Sequence, residues 1–457
     1  MKTPDPEAEA PILVEERVPL PAGDPTFEGA RQVVQRLRQA GQEAWLVGGG
    51  VRDLVLSQTP KDWDVATSAP PEEVRRLFPR HVPVGVQFGV VRVRLGGHEY
   101  EVATFREDLG YSDGRRPDAV RFGSLSEDVR RRDFTINGLA LDPFTGRVVD
   151  LVGGVADLRA RRIRAIGDPD ARFEEDHLRP LRAVRFAAKT GFTIDEATWE
   201  ALVRRAPTVA TVSPERVAEE MGRLLQSPHP GLGWRLLDRS GLLPVVLPGW
   251  TGQVDQVAEA LDRLEGRPLP WTWAAALRPV GARQAREFLG RLRRSTALRD
   301  AVAGILRTMD DLQGLPLGDV AQEKRLVRRP EFPAALAVAE AWSPGATTGP
   351  LQVARDRLAL WGPEDLFPGP LVDGHDLIRE GLRPGPALAE ALKAIEDAWL
   401  RGEVRNREEA LALIRDQMAH GAGRRAPPLS PEGPTVSREG PTRGPAREGE
   451  PDPPETS

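Results

Sequence analysis

The sequence predicts an α+β protein, a small α/β head followed by a long all-α neck, body and tail, and three observations predict it. Strand-like segments and glycine turns are confined to the first 156 residues. From Asp157 onward, apolar residues recur at helical spacing. From Gly421 the chain is Gly, Pro, Ser, Arg and Glu with almost nothing apolar, too little to offset its ordering entropy.

The elements follow in order. Residues 1–25, MKTPDPEAEAPILVEERVPLPAGDP, read as an acidic, Pro-rich leader. Phe27, Ala30, Val34 and Leu37 then repeat at helical spacing, and Gly41 is placed to end that helix. EAWLVGGG is a short apolar strand running into a glycine turn, after which VRDLVL restarts a helix. Val91 and Val93 alternate with Arg92 and Arg94, and Gly96-Gly97 turns the chain into HEYEVATF, which predicts an antiparallel hairpin with one solvated face. Residues 106–121, REDLGYSDGRRPDAVR, are rich in turn formers and predict a mobile loop. The head is thus expected over 26–156, a neck over 157–225, a helical body and tail over 226–420, and a disordered segment over 421–457.

Composition narrows the class. A chain of 457 residues has room for about two to four domains. It has no cysteine, which excludes disulfides and thiolate metal sites and suits a reducing cytoplasm. The N-terminal stretch lacks a basic segment followed by an apolar one, so it is not read as a signal peptide, and no apolar run is long enough to span a bilayer. A net charge of −5 argues weakly against nucleic acid, yet residues 115–185 carry 15 Arg against 12 acids. That distribution permits an RNA-binding middle.

Two constellations carry chemistry. Asp62-Trp63-Asp64 leads into Val65-Ala66-Thr67 and is expected on a strand, where residues two apart share a face and can hold one divalent cation. An acid-x-acid pair means little alone, since about ten are expected by chance in a chain this acidic. Its context matters more. Gly48-Gly49-Gly50-Val51-Arg52-Asp53 lies just upstream on a strand–turn–helix, where glycines let backbone approach a phosphate and Arg52 can fork onto triphosphate oxygens. Glu101 and Glu99 share one face of a neighbouring strand, and Glu101 is preferred as a third carboxylate. Two metal ions, expected to be Mg²⁺, would activate a ribose 3′-OH and neutralise charge on the reacting phosphates.

The second constellation is Phe173-Glu174-Glu175-Asp176-His177-Leu178-Arg179, expected to open one helix running through Arg182 and Arg185. Three-residue spacing would set Asp176 beside Arg179. An acceptor-only carboxylate beside a donor-only guanidinium matches the amino group and ring acceptor of cytosine or adenine, and mismatches uracil and guanine. A hydrogen-bonding site of this kind can reject a wrong partner by roughly 10⁴–10⁵-fold. A protein edge could therefore replace a nucleic-acid template.

These stretches together resemble the class II tRNA nucleotidyltransferase and bacterial poly(A) polymerase family. LVGGGVRDLVL, KDWDVATSAP, EVATFRED, RRPDAV, RRDFTINGLALDP, GDPDARFEEDHLRPLRAVRFAA and SPERVAEEMGRLL arrive in family order, and VDGHDLIREGLRPGPALAEAL with GEVRNREEA resembles the C-terminal part of CCA-adding members. The resemblance implies a polymerase-β-like nucleotidyltransferase head on a helical neck, body and tail. It implies that Asp62 and Asp64 bind the metals and that Gly49 and Arg52, with Gly48 in the same turn, hold the triphosphate. Arg132 would contact the nucleotide with Asp133 in support. Asp176 and Arg179 would read the base, Arg182 and Arg185 would hold phosphates or ribose, and Glu175 would act as a support. The partners implied are the tRNA 3′ end, CTP and ATP.

Three positions depart from the family pattern. Gly138 stands where Ala is usual and is expected to loosen a helix. Gly50 is expected to add flexibility to the glycine turn. Pro180 is tolerable only if its helix begins near Asp176. Within the family, VGVQFGVVRVRLGG lacks the Arg-rich stretch of poly(A) polymerases, and the loop with Asp113, Arg115, Arg116 and Pro117 is full length, which favours an enzyme able to add the final A. The expected activity is complete CCA addition, with A-only addition and then poly(A) synthesis as alternatives. Two other classes fit the sequence less well. A non-catalytic RNA-binding protein would not need Asp62 and Asp64, and a phosphohydrolase built on His375-Asp376 has little else to support it.

Overall fold

The computed structural model describes residues 14–82, 89–109, 114, 119–314, 318–345, 349–367, 369 and 371–422. Asp113, Arg115, Arg116, Pro117 and residues 423–457 of the expected tail lie outside the described residues. The chain divides into two compact units, one up to Phe367 and one from Pro368.

The first unit begins in the segment read as a leader. Val14–Arg17 (β1) pairs antiparallel with Arg147–Asp150 (β10) at the sheet edge, so part of the leader is a strand of the head. Pro25–Gln39 (α1) starts where the Asp24 carboxylate accepts the Thr26 and Phe27 amides, with Pro25 in the first turn. Its buried stripe is Phe27, Ala30, Val33, Val34 and Leu37.

The sheet continues through Ala44–Val47 (β2), Asp64–Thr67 (β3), His81–Val82 (β4), Val90–Leu95 (β5), His98–Thr104 (β6) and Leu139–Leu141 (β9). Its order is β1-β10-β9-β2-β3-β6-β5-β4, with β3 and β6 the parallel neighbours. Alternation along β2 divides the core. Ala44 and Leu46 pack with α1, while Trp45 and Val47 pack on the other face with Ala66, Phe105, Leu125 and Val129. The β5–β6 hairpin has the expected solvated face. Val91 and Val93 are buried, whereas Arg92 and Arg94 pair with Glu101 and Glu99 across the strands.

Residues 106–121 are not simply a loop. Arg106–Leu109 (β7) and Ala119–Phe122 (β8) form a two-stranded antiparallel ladder, and the Gly114 carbonyl between them accepts the His177 amide at 2.9 Å. Polar, charged strand residues such as Glu107 and Arg121 conceal this from a hydrophobicity reading, because the ladder is held by backbone bonds and cross-strand ion pairs.

The neck also differs from its expectation. Instead of one helix there are two, Pro169–Glu175 (α6) and Arg179–Thr190 (α7), with Asp176 in extended conformation between them. Pro180 causes this break and is accommodated by it. In the first turn of α7 its missing N–H has no partner to lose. Pro214–Leu225 (α9) packs against α7, and helices between Pro230 and Leu366 extend the same core, from Phe27 to Leu366. Gly138 ends the short 3₁₀ turn Thr135–Asn137 rather than sitting inside a helix, and a Cβ there would lie 2.7 Å from Val152 Cγ2. Its smallness makes room for packing.

The second unit places Gly374–Arg379, Pro386–Arg401 and Arg407–Ala422 around Val372, Leu377, Ala391, Ile395, Ala410 and Ile414. Its first two helices lie within the range expected as one body and tail, 226–420, and the last, ending at Ala422, runs two residues into the segment expected to be disordered, 421–457. Among the described residues no helix is long and apolar enough to cross a membrane.

Candidate active site

β2 ends in the glycine turn, and Gly49–Val55 (α2) follows it. Gly48 adopts φ +78°, and a Cβ there would lie 3.3 Å from Asp64 Oδ2 and 3.6 Å from Arg132 Nη1. The turn therefore threads between a carboxylate and a guanidinium. At Gly50 a Cβ would meet the Asp62 carbonyl oxygen at 2.6 Å and the Trp63 ring at 3.0 Å. Close approach, rather than flexibility, is what glycine provides there.

Strand β3 begins at Asp64, two residues later than the motif suggests, and Asp62 precedes it. Trp63 is buried against Phe27, which turns Asp62 and Asp64 together toward the opposite side. Parallel pairing of Val65 with Val102 brings Glu101 alongside Asp64. Burial, reinforced by the Glu101 and Asp62 charges and opposed by Arg132, pushes the Asp64 carboxyl up to about 6. Crowded carboxylates with little positive charge among them are the donor set a divalent oxygen-seeking cation would relieve. Glu101 itself faces outward, half exposed and 3.3 Å from Arg92, and does not line the cleft. Among the described residues no three carboxylates or imidazoles close round one point. Asp62 and Asp64 fit a metal pair; Glu101 is not aimed at one.

Arg52 lies at the cleft wall and is only 2% exposed. Its Nε and Nη2 donate to Asp53 Oδ1 at 2.8 and 2.7 Å, and its Nη1 donates to Asn137 Oδ1 at 2.7 Å. Arg132 follows Leu125–Arg130 (α4), whose Ser124–Glu127 capping box fixes the entry to the helix. Buried Asp128 accepts from Arg132 Nη2 at 2.9 Å and also from Arg131, which sets both guanidinium groups at the mouth. Asp133 is buried beneath them. It accepts from the Phe134 amide, from Asn137 Nδ2, and from Arg182 Nε and Nη2 at 3.0 and 2.6 Å. Burial alone would raise its carboxyl, but the Arg182 charge and these bonds outweigh it and hold it well below the usual carboxylate range.

Asp176 and Arg179 both line the cleft, but their side chains do not bond to each other; the Arg179 amide donates to the Asp176 carbonyl at 2.9 Å. Arg179 Nη1 donates to Glu175 Oε2 at 2.5 Å and to the Arg172 carbonyl at 2.9 Å; its Nη2 donates to the Arg131 carbonyl at 3.0 Å. Glu175 thus holds Arg179 and stays out of the cleft lining. Asp176 is held instead by Arg216 of α9, whose Nη2 lies 3.1 and 2.9 Å from its two oxygens. Glu220, one turn further along α9, accepts from Arg185 Nε at 2.5 Å and from Arg182 Nη1 at 3.4 Å.

The whole forms one cleft of about 440 Å³, within the roughly 300–1,000 Å³ of small-molecule sites. Eight basic side chains line it against four carboxylates, a surplus suited to a triphosphate. Gly48, Gly49, Arg52, Asp62, Asp64, Arg132, Asp133, Asp176, Arg179, Arg182 and Arg185 all contribute to this lining. Sequence reasoning missed Arg131, Asn137, Lys189 and Arg223, which line the cleft, and Arg216 and Glu220, which brace it. Lys189 was findable, since it continues the helical spacing of Arg182 and Arg185. Asn137 and Arg216 were not, because their partners are 85 and 40 residues away. His375 is fully exposed in the second unit, and Asp376 is occupied by Arg379 and Arg407, so the hydrolase reading finds no site there.

Residues 44–164 match the Poly A polymerase head domain family, residues 191–253 the RNA and SrmB-binding site of polymerase A, and residues 368–414 the tRNA nucleotidyltransferase domain 2 family. The CCA-adding enzyme of Lactobacillus delbrueckii subsp. bulgaricus is 35% identical over 84% of this chain and 96% of its own length. That of Geobacillus stearothermophilus is 36% identical over 85% and 96%. A crystal structure of the Bacillus stearothermophilus CCA-adding enzyme in complex with CTP superposes with a TM-score of 0.74, at 33% identity, covering 88% of this chain and all of that one. The Thermotoga maritima CCA-adding enzyme complexed with tRNA shares the fold, with a TM-score of 0.65 at 20% identity over 89% and 99% of the two chains. With identity above one third sustained over nearly the full length of such relatives, the chain belongs to the CCA-adding enzyme family of RNA nucleotidyltransferases.

Proposed function

We propose that this chain adds or repairs the 3′-terminal CCA of tRNA, taking CTP and ATP and releasing pyrophosphate, without a nucleic-acid template. One observation carries the reading: the carboxylate pair Asp62 and Asp64 and the polar pair Asp176 and Arg179 line the same basic cleft. Reaction centre and base reader therefore share one nucleotide-sized space.

The roles follow from position. Asp62 and Asp64 would hold two divalent ions, taken to be Mg²⁺. When bound, these would favour the ionised 3′-OH and neutralise charge at the α-phosphate and departing pyrophosphate. Gly48 and Gly49 leave the backbone bare beside the phosphates, while Arg52 and Arg132 supply fixed positive charge there. Arg182 and Arg185 are set by Asp133 and Glu220, so they add charge without having to be reoriented. Asp176 accepts the exocyclic amino group of cytosine or adenine and Arg179 donates to the ring acceptor. Glu101 is retained as a third carboxylate only through a change in its side-chain direction. The work belongs in the cytoplasm, where a cysteine-free chain is at home.

The test uses tRNA transcripts ending at the discriminator base, at C and at CC, offered CTP, ATP or both. Growth of all three to CCA is expected. Growth only from the CC end would assign A-only addition, and long A tails on generic RNA would assign poly(A) synthesis.

A further inference from the structure

Phe186 lines the cleft although its side chain has no group that can hydrogen-bond to a nucleotide. Its ring is only 5% exposed and lies among three guanidinium groups. Arg185 stacks on it with Cζ 3.8 Å from the ring centroid, and the Cζ atoms of Arg52 and Arg182 lie 5.5 Å from the same centroid. All three fall inside the roughly 6 Å within which a ring face attracts a cation. Arg182 and Phe186 are four apart on α7 and share one side of it, while Arg52 arrives from α2 of the head. The ring is itself held in place. Phe134 meets it edge to face, with centroids 5.6 Å apart and planes at 75°.

Carboxylates also hold these arginines, but each such bond occupies an N–H group. Arg52 gives three of its five to Asp53 and Asn137, and Arg182 gives three to Asp133 and Glu220. Arg185 gives only one, from Nε to Glu220. A guanidinium bonded at a single nitrogen can swing about that bond. Burial and the nearby Arg182 charge also disfavour its charged form, against Glu220. A ring face attracts the cation without accepting its in-plane N–H groups, so stacking fixes the plane of Arg185 and leaves its other four donors available.

We infer that Phe186 is a positioning residue for the triphosphate. Its ring gathers Arg52, Arg182 and Arg185 at one place in the cleft while their remaining N–H groups stay free for phosphate oxygens. This rests on the phosphate-holding role proposed for those three arginines. An aliphatic side chain could fill the same space but has no negative face, so the requirement is electronic rather than steric.

The experiment uses the full chain with mono-, di- and trifluorinated phenylalanine placed in turn at position 186. Fluorine withdraws charge from the ring face and barely changes the ring's size, so folding, verified by thermal melts, is kept. Dissociation constants for CTP and for inorganic pyrophosphate are measured by calorimetry on these proteins, on the parent and on Arg185→Gln. Both affinities should fall step by step with each added fluorine, by about tenfold across the series, the loss expected when a desolvated cation–ring contact is removed. A ring that acted only by filling space would give a flat series. Affinities unchanged or improved by fluorination, while Arg185→Gln weakens both ligands, overturn the inference and leave the phosphate-holding role standing. An Arg185→Gln variant that binds both ligands as the parent does overturns that role and this inference with it.

Discussion

Asp64 illustrates how an individual carboxylate can be built against its own ionisation. Burial and two neighbouring carboxylates raise it to about 6, so in metal-free protein its charge costs stability as pH rises through that value. Asp64→Asn in a chelating buffer should therefore melt higher than the parent at pH 8, and the gain should be smaller at pH 5, where the folded carboxyl is protonated but an unfolded one, with its free value of 3.8, is not. The same substitution should lower kcat by at least about a hundredfold with metal present, since a charge-neutralising ligand is lost. Melting curves at the two pH values and one turnover assay check both. Asp133 has the opposite sign. Its depressed carboxyl contributes stability above the ordinary carboxylate range and loses it as pH falls. Asp133→Ala should cost about 3 kcal/mol in urea melts, because Arg182 is left with the longer Glu220 contact alone.

The cleft depends on elements meeting at short range. α2 crosses the approach to β3 so closely that Gly50 has no room for a side chain. Gly50→Ala should displace the Asp62 backbone, lowering kcat by about tenfold or more and stability by about 1–3 kcal/mol. Fluorescence of Trp63, buried against the same contact and isolated from the chain's other tryptophans by difference against Trp63→Phe, gives an independent reading of the displacement. The β7–β8 hairpin reaches the other side of the cleft, where Gly114 accepts from His177, the residue after Asp176. One cleft must fit C and then the larger A. Deleting residues 107–114 should therefore leave C addition in place and impair A addition in a stepwise incorporation assay. Equal loss of both would count against a role for the hairpin in that step.

For the whole molecule, the cores matter more than chain length. The principal core runs from Phe27 to Leu366, and the second unit has its own small core from Val372 to Ile414. A chain ending at Phe367 should therefore fold cooperatively and bind CTP, since every residue lining the cleft lies between Gly48 and Arg223. Circular dichroism melts and CTP titration check this; a non-cooperative melt would refute it. Charge follows the same logic. The chain as a whole is acidic, with a net charge of −5, yet its cleft has twice as many basic side chains as carboxylates. Net charge bears on solubility, and the local field bears on which ligand enters.

The sequence by itself pointed to the α/β head, to the mainly helical chain beyond it, where the short parallel pair Arg162–Ile163 and Thr193–Ile194 departs from the expected absence of strands after residue 156, and to Asp62, Asp64, Arg52, Asp176 and Arg179 as candidates, all of which line one cleft. Those signals are local: alternation, helical spacing, glycine turns, and polar types at short separation. It misjudged features whose cause lies elsewhere in the chain. Val14–Arg17 became a strand because β10 offered an open edge, and 106–121 became a ladder through backbone bonds that hydrophobicity does not encode. Pro180 signalled the break between α6 and α7, but only packing decided that Asp176 would turn from Arg179 to Arg216. The outward turn of Glu101 toward Arg92 was likewise settled across strands. Residue type and spacing establish which groups could do chemistry. Which of them face one another is decided by contacts between distant residues, and those exist only once the chain has folded.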